Sequence, residues 1–154
     1  MRRHFLTFAA AATACVARGD TLLLDYCRRW GCPFNAFVSC AAARAGCLPA
    51  LQWIHQHYGS ALLSGSACSE AAARGHLHVL AWLRQHGAAW DVHTARQAAA
   101  HDQLEVLQWT QRQEPPCPMD DGVVQALRGR GHGGLADAFQ ARLEAARAPA
   151  AAVL

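Results

Sequence analysis

Two columns of residues advance through this chain in lockstep. The aromatic column Tyr26, Trp53, Trp82, Trp109 moves by 27, 29 and 27 residues, and the turn column Gly19, Gly46, Gly75, Asp102 moves by the same amounts. A period of this size marks units that cannot bury an apolar face alone, so that neighbours must stack to make a core. The third copy runs Ala71-Ala72-Ala73-Arg74-Gly75-His76-Leu77-His78-Val79-Leu80-Ala81-Trp82-Leu83. The second copy repeats it from Ala41 to Ile54, and the fourth from Ala98 to Trp109. A fainter fifth copy follows at a 29-residue step, with Gly131 in the turn column, Leu135 and Phe139 on the apolar face and Ala138 where Trp belongs. It is expected to be a degenerate end cap, as terminal repeats usually are.

Each unit reads as a short Ala-rich helix, a tight turn and a second helix. In the third copy the apolar face of that second helix is Leu77, Val79, Leu80, Trp82 and Leu83, a broad face on about three turns. Alanine, 34 of the 154 residues, suits helices that approach closely. The Trp of each second helix is expected to fill the gap between layers, which predicts that Trp82 is largely buried. Gly31, Gly59 and Gly87 stand where a left-handed C-cap would end the second helix. Trp30, Phe34 and Trp90 are read as staples joining one unit to the next, with binding anchors as the alternative.

Gly75 to Asp91 resembles the ankyrin pattern G-H-x-E-V-V-x-L-L-L-x-x-G-A-D-V-N, with Gly75, His76, Val79, Leu83, Gly87 and Ala88 identical. The resemblance covers roughly residues 10 to 120. An ankyrin unit has 33 residues and opens with T-P-L-H; here the equivalent positions read Ser66-Ala67-Cys68-Ser69 and His93-Thr94-Ala95-Arg96. The shortfall falls between Asp91 and His93, where an ankyrin protein projects a β-hairpin finger. With its closings at Gly31 to Asn35 and Cys117 to Asp120, this short variety is similar to ankyrin-like arrays encoded by large DNA viruses of amoebae and by some algae.

The resemblance implies an all-α, helix-turn-helix repeat solenoid of about four repeats plus the degenerate C-terminal cap, with hairpin fingers absent or reduced. Units lie near 10–35, 37–62, 66–91, 93–120 and 121–146, forming one domain over 1–146, with 147–154 a disordered tail. It further implies a non-enzymatic module that binds a protein along the concave face of the stack, as a monomer, in the cytoplasm, or in the host cytoplasm if the chain is viral. On that face the resemblance places Arg44, Glu70, Arg74, Gln97 and His101, beside Ala41, Ala45, Ala73 and Ala100. The alternative reading is a structural remnant, or a fragment of a longer array with no partner of its own.

Composition narrows the rest. All fourteen basic residues are Arg, the net charge is +3 and the signs are interspersed, so no basic field of the kind that holds nucleic acid is present and no DNA or RNA partner is expected. Seven cysteines without a C-x-x-C pair read as reduced thiols in small apolar positions. Arg2-Arg3-His4 followed by the apolar run Phe5 to Ala17 admits two readings, a cleaved signal peptide or the first repeat helix. No stretch approaches the ~20 apolar residues of a membrane span, and no membrane association is expected.

Nine histidines invite a metal site, with His55 and His57, or His76 and His78, as the obvious pairs. Residues two apart on a helix project about 200° apart and cannot chelate one ion from one face. His76 is better read as the structural turn histidine of the ankyrin pattern. No G-x-S-x-G, H-E-x-x-H or Gly-rich phosphate loop occurs, so no cofactor, metal or catalytic residue is expected. Gly129 to Gly134 is taken as a flexible break in the last repeat. The recurring Arg18, Arg44, Arg74 and His101 are read first as suiting helix C-termini, where a cation meets the negative end of the helix dipole, with a basic ladder facing a partner as the alternative.

Overall fold

A computed structural model describes residues 12–147 of the chain. Every regular element among them is helical, and none is a strand. The helices are α1 over residues 12–18, α2 Thr21–Arg29, α3 Ala36–Arg44, α4 Leu48–Tyr58, α5 Gly65–Ala73, α6 Leu77–Gln85, α7 Val92–Ala100, α8 Leu104–Gln111, α9 Asp121–Gly129 and α10 Gly133–Arg147, with a 3-10 turn at Gly59–Leu62. The segment from Trp90 to Thr94 passes directly from irregular chain into α7 without a hairpin. No helix among the described residues is long and apolar enough to cross a membrane.

The chain is punctuated as the turn column requires. Gly19, Gly46, Gly75, Asp102 and Gly131 all have positive φ, between 62° and 86°, a backbone region that costs a side-chain-bearing residue about 1–2 kcal/mol. At Gly75 an added Cβ would in addition meet the amide end of the Gln103 side chain, which would have to move aside. The opposite ends of the helix pairs carry N-caps. Asn35, Asp91 and Asp120 accept hydrogen bonds from the backbone N–H of Phe37, Thr94 and Val123, which satisfies donors that the first helical turn leaves open. Ser64 takes the same place before α5.

Packing follows side-chain size. α3 packs on α5, α5 on α7 and α7 on α9, whereas the second helices touch one another far less. Ala42, Ala71, Ala72, Ala98 and Ala99 are fully buried in that close row. The second helices bury Leu24, Leu51, Leu80, Leu107 and Ala136 completely, all five residues past the turn position, and Ile54 and Leu83 three residues further on. Thr110 and Phe139 continue the latter column. The core is therefore one continuous cluster reaching from Ala12 to Phe139.

Four sequence expectations are corrected. First, the aromatic column does not fill the gap between layers evenly: Trp53 is buried and Trp82 and Trp109 are partly buried against the core, as expected, but Tyr26 is 58% exposed. Trp82 stacks on His86, four residues on, with ring centroids 4.0 Å apart, and meets His55 of the preceding unit edge-on at 5.7 Å; Trp53 stacks on His57 in the same way. Second, Phe34 and Trp90 do join units, through Trp53 and Trp109, but Trp30 remains 66% exposed. Third, Gly129 to Gly134 is not a flexible break: Gly129 ends α9, Gly131 makes the turn and Gly133 starts α10, with Ala136 and Phe139 buried beyond it. Fourth, Arg147 belongs to α10 and pairs with Asp121, so it is not tail; residues 148–154 lie outside those described. Of the opening segment, residues 12–17 fall in α1, where Ala12, Cys15 and Val16 are buried, and residues 1–11 lie outside the described residues.

Candidate functional site

The close row of first helices leaves a surface on its solvent side. Arg44 is the last residue of α3, Arg74 and His101 cap the C-termini of α5 and α7, and Glu70 and Gln97 sit one turn earlier on those helices. All five line one groove of about 440 Å³ across three successive units. Ser66, Ser69 and His93 add polar groups to it, and Ala73 keeps its floor shallow. A second groove of about 470 Å³ lies towards α1, lined by Ala17, Phe37, Cys40, Ala41 and Ala45. Arg44 and Arg74 border both grooves, which makes them one surface.

The electrostatics of the five differ. Arg44 grips Glu70 with two prongs, Nε to Oε2 at 2.9 Å and Nη2 to Oε1 at 2.8 Å. These bonds hold the Glu70 carboxyl below its ordinary value and raise the arginine. The pair joins Glu70 of α5 to α3. His101 Nδ1 donates to the Gln97 carbonyl at 3.1 Å. Arg74 makes no hydrogen bond or ion pair with any described residue, although its charge helps to lower Glu70 through space.

The histidines serve the stack. His76 precedes α6 as its N-cap, so its ring is not held to helical spacing from His78 and the two rings come within 6.0 Å. Each ring nevertheless donates from Nε2 to a carbonyl of the preceding unit, Arg44 and Gly46 respectively, both at 3.2 Å. Among the described residues no group of three His, Cys, Asp or Glu is arranged to hold a metal ion.

Other cross-unit contacts were not anticipated from sequence. Arg96 of α7 binds Asp120 through two nitrogens, Arg130 donates to the Ala100 carbonyl and His132 meets Asp102. Ser69 and Thr94 hydroxyls lie 3.3 Å apart between α5 and α7. One signal was visible: Asn35, Ser64, Asp91 and Asp120 step by 29, 27 and 29 residues, a column of capping residue types.

Comparison of the chain with protein-family models, with curated proteins and with solved structures finds no match.

Proposed function

We propose that this chain is an ankyrin-like repeat solenoid of short units, without enzymatic activity, that holds a polypeptide partner along the groove of its first helices. The observation that carries this reading is the convergence of Arg44, Glu70, Arg74, Gln97 and His101, chosen by repeat register, on one groove spanning three units. Close approach of the first helices, against looser contact between the second, bends a stack towards the first-helix side. A partner segment laid there touches several units at once. The intact fifth pair, with its turn, N-cap and buried column, favours a working array over an eroded remnant. Seven unpaired cysteines suit a cytoplasmic site of action.

The test is capture from cell lysate by the full chain, by a groove variant Arg74→Glu with Gln97→Arg, and by a control variant Gln52→Glu with Gln108→Glu on the exposed side of the second helices. The reading expects proteins captured by the wild type to be lost with the groove variant and kept with the control, all three melting alike. Loss with the control alone would move the binding surface off the groove and contradict the reading.

A further inference from the structure

We propose that the segment held in this groove is acidic, with a carboxylate that meets Arg74 and a bulky apolar side chain seated against Phe37. This rests on the groove being the binding surface, and it specifies what binds there.

The charge on the groove is unbalanced by use, although its residues nearly balance on paper. Of the two carboxylates on its lining, Glu70 is neutralised by the two-pronged Arg44. Asp91 caps α7, accepting from the Thr94 N–H at 3.3 Å, where the positive end of the helix dipole meets its charge. Neither acid is left for Arg74. Its guanidinium stands at the join of the two grooves with no hydrogen-bond or ion-pair partner among the described residues, a planar donor fork suited to a carboxylate. His93 and His101 on the same lining bring no acid either. Arg130, which holds the register position of Arg74 two units on, is already engaged with the Ala100 carbonyl. Among the described residues, Arg74 is the arginine on this groove lining that no carboxylate engages.

The other end of the surface is apolar. Phe37 is 65% exposed beside Ala17, Ala41 and Ala45, and the small side chains leave room for a large one to cover its ring. Seating an aliphatic or aromatic anchor there removes apolar area from water, while the carboxylate sets the segment's direction. A nucleic acid would need a line of cations matched to successive phosphates; one free arginine flanked by alanines, a phenylalanine and two serines does not supply it.

A library of random 12-residue peptides displayed on phage, selected against the immobilised full chain, tests this directly. Enriched sequences should combine Asp or Glu with Phe, Leu or Trp. A synthetic enriched peptide, followed by fluorescence anisotropy, should lose about tenfold or more in affinity with Arg74→Glu and with Phe37→Ser, and should weaken as salt rises. A peptide whose acids are changed to Arg should regain binding to the Arg74→Glu variant, a rescue that a merely structural role for Arg74 would not produce. Enriched peptides that are neutral or basic, yet still lose binding on groove substitution, overturn the acidic assignment and leave the groove standing. Peptides insensitive to both substitutions, or no enrichment at all, overturn both.

Discussion

At the turn, one missing side chain sets what each unit can do. Gly75 combines a φ of 74° with a neighbour lying where a Cβ would go, so Gly75→Ala should destabilise the chain by about 1–2 kcal/mol. Gly134, inside α10 with open space around its Cα, should respond oppositely. Gly134→Ala is expected to stabilise by about 0.5–1 kcal/mol, from helix propensity and a less flexible unfolded chain. Urea denaturation of the two variants checks the signs. The thiols give a second residue-scale prediction. Burial raises Cys68 and Cys117 to about 12 and Cys15 to about 11, so almost no thiolate forms at pH 8 and none of the three should react with an aromatic disulfide reagent in the native state. Their substitution by Ala should leave the native-state reaction rate unchanged; a slower reaction would contradict their burial.

Between elements, the decisive contrast is between Leu80 and Trp82. The periodic Trp column was the strongest mark in the sequence, yet the fully buried residues are Leu51, Leu80 and Leu107 beside it. Leu80→Ala should cost about 3 kcal/mol, and more than Trp82→Ala, whose indole keeps one side in water and stacks on His86. Recurrence revealed the unit and its turns, because positive φ and helix length impose a fixed spacing on glycine. It did not rank the repeated positions by depth, because a partly buried aromatic such as Trp82 repeats as faithfully as a fully buried leucine. Pairs such as Arg44 with Glu70 were illegible for a different reason: their spacing of 26 residues acquires meaning only once α3 and α5 are stacked. That pair also carries a pH dependence. Arg44 lowers the Glu70 carboxyl in the folded chain below its ordinary 4.5, so the contribution is complete above that range and is lost as pH falls through it. With both side chains well exposed, it is worth about 0.2–1 kcal/mol. Glu70→Gln should therefore lower stability at pH 7 and leave stability at pH 2 nearly unchanged, as thermal denaturation at the two pH values will show.

For the molecule as a whole, helix pairs were readable from sequence, the faint fifth included. Its Trp position holds Ala138, but its turn at Gly131 and buried Phe139 are intact; missing one edge aromatic does not dissolve a unit whose inward columns remain. The groove positions were legible through register alone. What register could not convey was which of them are occupied, Glu70 being held by Arg44 while Arg74 has no such partner among the described residues. The central claim is that a partner lies along the first helices. Site-specific photocrosslinking tests it within a single unit, with a benzophenone amino acid at Gln97 on α7 or at Gln108 on α8. The account predicts that a captured partner forms a covalent adduct from position 97 and none from position 108. An adduct from 108 with none from 97 would contradict it.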